Sequence, residues 1–171
     1  QVDCTLLTFG MAHKIRVAGY RKLGEILYGD NRTFRLEIST ALHEGTTFSE
    51  DFFTVGNEIR EVFDGNVSFL GFLADEEVSH RMRAADALVA FFPLGVRENN
   101  TTVLSAMSHG CAVITNTDGY SPNWMVHGNS IFDIDKMSEF PSIAEIEEVG
   151  RNAKEAVSPY SFAQLSKIIS Q

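Results

Sequence analysis

Short apolar runs alternate with segments of helical spacing along almost the whole chain. The runs at 4–9, 87–92 and 111–115 have the composition of buried strands, and further strands are predicted at 34–39, 67–72 and 130–134. Between them, apolar residues recur at helical spacing over 15–28, 49–63, 75–85 and 142–157. Strand and helix therefore alternate about six times, which requires right-handed crossovers and a parallel sheet covered on both faces. The sequence predicts a doubly wound α/β domain.

The stretch 92–116 joins two of these strands through a polar loop and a short helix. Asn100, Thr101 and Thr102 can each cap the start of that helix with a side-chain oxygen, and Gly110 ends it. The unpaired amides of the first turn, at the positive end of the helix dipole, then point into a loop just past a strand end. Ligands of open α/β sheets bind at such strand ends, so the stretch predicts a site for phosphate or another anion. The alternative is a capped core helix without a ligand.

A basic segment lies near the N-terminus. Between residues 4 and 24 the chain has no carboxylate and four cations: Lys14, Arg16, Arg21 and Lys22. Lys14 and Arg16 fall in the turn after the first predicted strand, where cations can meet a phosphorylated ligand. The alternative is that they are ordinary solvated charges.

The length and charge of the chain limit its class. A chain of 171 residues fits one domain, 1–171, and its opening almost directly on a strand, without an initiator Met, indicates part of a longer protein. The net charge of −9 argues against nucleic acid or an anionic membrane as the main partner, and no apolar run approaches the roughly 20 residues of a membrane span. Cys4 and Cys111 are predicted to be buried free thiols, which is typical of a reducing, cytoplasmic compartment.

Several motifs in the second half of the predicted sheet are similar to those of one family. The series FLGFLADEEVSHRMRAADALVAFFP, followed by LSAMSHGCAVITN, resembles the C-terminal, donor-binding domain of GT-B glycosyltransferases of the family-4 type, also called glycosyl transferases group 1. That family reads roughly FxGxxxxxELxxxYxxADxxVxPS, then EGFGLPxLEAMAxGxPVVA, then a Gly-rich turn and V-x-x-G-x-N-G. The resemblance extends over about residues 5–135. Its counterparts here are Phe69-Leu70-Gly71-Phe72, Ala85-Asp86, Ala106-Met107, Gly110, Asp118-Gly119 and Val126-His127-Gly128-Asn129.

The resemblance implies a Rossmann-like fold, the C-terminal half of a GT-B enzyme, that binds a nucleotide diphosphate sugar as its substrate. Such enzymes transfer the sugar to an acceptor held by an N-terminal domain, usually with retention and without a metal or other cofactor. We therefore expect a hexosyltransferase-like donor domain that binds its donor weakly and transfers nothing by itself.

The resemblance also assigns site residues. It puts Lys14 and Arg16 on the diphosphate, although Met11 stands where many members have Arg, and it puts the segment of Phe72 and Leu73 against the nucleobase. The amides of the helix within 92–116 hold the diphosphate, and the loop before that helix contacts the sugar. The catalytic candidates are Lys14, Arg16 and Glu98. The donor-binding candidates are Gly10, Phe72, Leu73, Asn99, Asn100, Thr101, Thr102 and Ser105, and no metal site is predicted.

The sequence departs from the family at its paired carboxylates. The family has two Glu eight residues apart, one on the sugar and one on the ribose, and Arg97 and Ser105 occupy these positions here. Glu98 lies one residue out of register. These departures leave open a non-catalytic module that binds a nucleotide or sugar phosphate, and an unrelated flavodoxin-like interaction domain is a third reading. His43 and Glu44, after the second strand, are further candidates for the same cleft.

Overall fold

The computed structural model describes residues 3–10, 16–40 and 50–160. Its six strands are β1 (Cys4–Gly10), β2 (Phe34–Thr40), β3 (Val67–Gly71), β4 (Ala87–Val89), β5 (Ala112–Thr115) and β6 (Phe132–Asp133). Its α-helices are α1 (Val17–Gly29), α2 (Glu50–Phe63), α3 (Asp75–Ala84), α4 (Thr101–Ser108) and α5 (Ile143–Val157). Short 3₁₀ turns follow at Ile134–Lys136 and Ser158–Tyr160.

The strands form one parallel sheet in the order β3-β2-β1-β4-β5-β6. From β1 the chain winds outward to β2 and β3, and it then returns to place β4 on the other side of β1. The direction of winding therefore reverses between β1 and β4. The predicted doubly wound, Rossmann-like α/β fold is confirmed.

Helices cover both faces of the sheet, and side chains alternate between the two faces along each strand. One face carries Leu6 and Leu36 and packs against α1, α2 and the first half of α5. The other carries Leu7, Leu88 and Val113 and packs against α3, α4 and the end of α5. β4 and β5 are buried on both faces, whereas Arg35 of β2 and Ser68 of β3 are exposed.

Several element ends differ from the predictions. β4 ends at Val89 rather than at 92, because Phe92 pairs with a side chain instead of a strand backbone. β6 ends at Asp133, whose carboxylate accepts from the amide of Asp135 at 3.1 Å and starts a 3₁₀ turn. The N-cap residue of α3 is Ala74, which makes no side-chain cap, and Asp75 lies inside the acidic first turn. There it stabilises the helix through the dipole rather than as a cap.

Both cysteines are buried free thiols, as predicted. Burial raises the pKa of Cys4 and of Cys111 to about 12, so both stay protonated at neutral pH. Within the described ranges, no helix is both long enough and apolar enough to cross a membrane.

Candidate functional site

We place the candidate site in the crevice expected at the carboxyl ends of β1 and β4, because these neighbouring strands flank the point where the winding reverses. Helix α1 packs closely there: a Cβ at Gly19 would lie 2.3 Å from Cγ of Phe91. Only glycine permits this approach, which brings the start of α1 beside the segment that follows β4.

The floor of the crevice is a buried hydrogen-bond cluster. The hydroxyl of Thr8 on β1 lies 2.9 Å from that of Tyr20 on α1, and it donates to the carbonyl oxygen of Val89 on β4 at 3.1 Å. Burial raises the pKa of the Tyr20 phenol, so this group stays neutral. The cluster fixes the first turns of α1 relative to β1 and β4.

The two helices that begin at the crevice have open N-termini. Neither α1 nor α4 has a side-chain cap or an acidic residue in its first turn. By contrast, α3 has three acidic residues in its first turn, and α5 has a complete capping box between Ser142 and Glu145. Among the four α-helices whose first turns are described, the two that start at the crevice are therefore the ones without a first-turn carboxylate.

The predicted cap of α4 was wrong in its contacts, although its position was correct. Asn100 is the N-cap residue, but its Oδ1 accepts from the amide of Arg97 at 2.6 Å instead of from a helix amide. No hydrogen bond in the described part of the chain starts from the amides of Thr101, Thr102 or Val103. These three donors are open to an anion.

Asn116 holds the loop between β4 and α4. Its side chain is buried; its Oδ1 accepts from the amide of Phe92 and its Nδ2 donates to the Phe92 carbonyl, both at 2.8 Å. The Asn116 carbonyl oxygen also accepts from the amide of Val96 at 2.9 Å. These three hydrogen bonds attach the loop to the residue that follows β5, although the loop does not form a regular β ladder.

The loops after β4 and β5 are joined by an ion pair. Both Nη atoms of Arg97 donate to the carboxylate of Asp118, at 2.8 and 2.7 Å. The hydrogen bond from Arg97 lowers the pKa of Asp118, so this carboxylate is ionised at neutral pH. Gly95 allows the loops to meet, since its φ is +79° and a Cβ there would lie 2.9 Å from the Asp118 amide nitrogen.

A cavity of about 340 Å³ opens beside this ion pair. Its lining residues come from the same two loops: Arg97, Glu98, Asn99, Tyr120 and Pro122. Tyr120 is 85% exposed, and its ring centroid lies 5.9 Å from Cζ of Arg97. The cavity therefore offers charged groups, an amide and an aromatic face to a small polar ligand.

The candidates near α1 divide into two groups. Lys14, His43 and Glu44 lie outside the described residues. Arg16 is the N-cap residue of α1, and the structure shows no ion pair for it among the residues described.

The basic segment is less positive than its sequence indicates. Arg21 pairs with Glu58 at 2.7 Å, and Lys22 lies 3.7 Å from Asp135. Carboxylates from distant segments therefore neutralise two of its four cations.

The remaining candidates lie along the same edge of the sheet. Glu98, Asn99 and Thr101 are exposed, whereas Asn100, Thr102 and Ser105 are half-buried. The hydroxyl of Ser105 donates to Sδ of Met82 at 3.6 Å, a contact between α4 and α3.

Gly10 ends β1, and the segment with Phe72 and Leu73 follows β3. Phe72 is 69% exposed and Leu73 is half-buried. β3 is three strands away from β4, which corresponds to about 14 Å. An elongated ligand is needed to contact both ends of this edge.

Sequence reasoning missed the residues that organise the loops. Asn116, Asp118 and Gly95 act across segments that are about 20 residues apart, so no local spacing indicated their contacts. A buried strand that ends in Asn was the one available signal, since a buried amide must find partners.

The sequence matches no family model and no curated protein. Solved structures are similar in fold. The C-terminal domain of the glycosyl transferase group 1 family protein LpcC from Francisella tularensis has a TM-score of 0.64 and 19% identity, covering 94% of this chain and 88% of that one.

Two longer proteins are similar as well. Sucrose-phosphate synthase from Thermosynechococcus elongatus has a TM-score of 0.65 and 15% identity over 98% of this chain. Anabaena HepE, solved in complex with UDP and glucose, has a TM-score of 0.63 and 16% identity over 96% of this chain. The chain spans 46% and 48% of these two structures. It has the fold of the C-terminal half of a GT-B glycosyltransferase.

Proposed function

We propose that the chain is the donor-binding domain of a glycosyltransferase and that it binds a nucleotide diphosphate sugar in the crevice between β1 and β4. The acceptor is held by a second, N-terminal domain, and transfer takes place between the two domains. The fold supports this reading, as does HepE, a structure of similar fold that was solved with UDP and glucose.

The observation that carries the proposal is the pair of open helix ends at the crevice. Helices α1 and α4 both start there without a side-chain cap or a first-turn carboxylate. Unpaired amides at the positive end of a helix dipole suit a diphosphate, which brings negative charge and several acceptor oxygens. A flavodoxin-like interaction domain has no need for two such ends at one crevice.

The role of this domain in the reaction is to stabilise charge electrostatically. As the bond between sugar and diphosphate breaks, negative charge grows on the leaving diphosphate, and fixed donors that stabilise this charge lower the barrier. We assign this role to the amides of α4 and to the side chains of Lys14 and Arg16. Asn99 and Glu98 are assigned to the sugar, and Phe72 and Leu73 to the base.

A non-catalytic module that binds a nucleotide or sugar phosphate is the second candidate. One observation favours it: Arg97, at a position where the resembled family has a Glu on the sugar, is committed to an ion pair with Asp118. Both candidates bind a phosphorylated ligand at the same site, so transfer by the protein together with its acceptor domain separates them. A module binds its ligand and transfers nothing in that setting.

The test of donor binding is calorimetric titration of UDP, GDP, ADP and CMP into the chain. We expect one nucleoside diphosphate to bind, and Arg16→Ala and Lys14→Ala each to weaken its binding by about ten- to a hundredfold, since charge-assisted hydrogen bonds contribute about 1.5–3 kcal/mol. Arg151→Ala, an exposed cation on α5, is the matched control and should leave affinity unchanged. No binding by the wild type, or equal binding by all variants, overturns the assignment of the crevice.

A further inference from the structure

The guanidinium of Arg97 has an unused edge. Nη1 donates to the Val96 carbonyl at 3.0 Å and to Asp118 at 2.8 Å, while Nη2 donates to Asp118 at 2.7 Å. A guanidinium has five N–H donors, so Nε–H and the second Nη2–H have no partner among the described residues. The side chain is 30% exposed and lines the cavity, so a ligand can reach this edge.

A second arginine in the same chain shows what such an edge accepts. Nε of Arg81 donates to Glu77 at 2.8 Å, and its Nη1 donates to Glu37 at 2.6 Å. One guanidinium in this protein thus pairs with two carboxylates at once. Among the described residues, Arg97 pairs with only one carboxylate, that of Asp118. The Nε of Arg81 donates to a carboxylate, whereas the Nε edge of Arg97 faces no acid in the described structure.

The cavity beside Arg97 suits a single sugar ring. Its volume of about 340 Å³ lies at the lower end of the range for small-molecule sites. The exposed ring of Tyr120 offers a flat apolar face, and Asn99 and Glu98 offer hydrogen-bonding groups to hydroxyls. A planar, two-oxygen anion fits the free guanidinium edge with two parallel hydrogen bonds, whereas the single hydroxyls of a neutral sugar do not match both donors at once.

We propose that the donor sugar carries a carboxylate, as in a uronic acid, and that the free edge of Arg97 binds it. This inference rests on the proposed function and makes Arg97 a specificity-determining residue. Asp118 is a positioning residue, because its bidentate contact fixes the guanidinium plane. The depressed pKa of Asp118 keeps that contact intact at neutral pH.

The test uses the whole chain saturated with whichever of UDP, GDP, ADP and CMP binds it. Sodium glucuronate, sodium galacturonate, glucuronamide and glucose are then titrated separately, with binding followed by NMR shifts of the cavity residues. Glucuronamide is the matched control, since it has the shape of glucuronate without its charge. We expect one or both uronates to bind at least about tenfold more tightly than glucuronamide and glucose, the smallest difference that one hydrogen bond to a charged group should produce.

Three variants isolate the cause. Arg97→Gln should remove the preference for the uronate, and Arg97→Lys should remove most of it, because an ammonium lacks the two-donor edge. Arg151→Gln changes the net charge equally at a distant exposed site and should preserve the preference. Arg151→Gln should also leave the affinity for the nucleoside diphosphate within about twofold, because it lies outside the candidate site.

The outcomes separate the two proposals. If no nucleoside diphosphate binds, the proposed function fails, and this inference fails with it. If the diphosphate binds but neither uronate is preferred, or if the preference survives in Arg97→Gln, the inference alone is overturned.

Discussion

Replacing Asn116 by Ala tests whether one buried amide holds the loop of the candidate site. The side chain is 3% exposed and makes two hydrogen bonds to Phe92, both at 2.8 Å. Truncation leaves the Phe92 N–H and C=O without partners in a half-buried position. At about 1–2 kcal/mol for each such group, we expect a loss of about 2–4 kcal/mol in the free energy of unfolding.

The assay is urea denaturation followed by far-UV circular dichroism. The midpoint should fall while the m-value stays constant, and the melting temperature should drop by about 5–15 °C for a domain of this size. Asn123→Ala, the same change at an exposed position, should alter stability by less than about 0.5 kcal/mol. A loss of the same small size for Asn116→Ala would refute the role given to its side chain.

Two further predictions concern packing and pH. Gly150→Ala should destabilise the protein by about 1–3 kcal/mol, because the new Cβ would lie 2.3 Å from the carbonyl oxygen of Gly110. Gly29→Ala should not destabilise the protein, because a Cβ at that position meets nothing within 4 Å. Equal urea midpoints for the two variants would contradict the close packing at Gly150. Although burial opposes it, hydrogen bonding from Thr117 and its other partners lowers the pKa of Asp133. Its stabilisation is therefore present above about pH 4 and lost as the pH falls, and Asp133→Asn should reduce the acid dependence of the melting temperature measured from pH 7 to pH 3.

Periodicity alone predicted the fold because the strands carry clear apolar patterns. The runs around Leu7 and Leu88 are almost continuous, since β1 and β4 are buried on both faces, whereas the apolar residues around Leu36 alternate with Arg35 and Glu37. The ends of elements were less predictable, since they depend on single contacts. β4 ends early because Phe92 pairs with the side chain of Asn116, and the oxygen of Asn100 binds the Arg97 amide rather than a helix amide.

The place of the candidate site in the fold was predictable from the sequence, but the ion pairs between its side chains were not. The helix start at Thr101 follows a strand, so the topology alone indicated a ligand site there. The pair between Arg97 and Asp118 joins two loops, and the pair between Arg21 and Glu58 joins two helices. No local spacing encodes such contacts, because they arise only when the sheet brings distant segments together.

An amide NMR titration of the chain with UDP, GDP, ADP and CMP tests most directly whether the open helix ends bind a diphosphate. One of these nucleotides should shift the amides of Thr101, Thr102 and Val103, together with those at the start of α1, because these open helix ends meet the diphosphate. The amide of Arg35, which is exposed on β2, should not shift. No shift with any nucleotide, or shifts that leave the amides of the two helix ends unchanged, would contradict donor binding at this site.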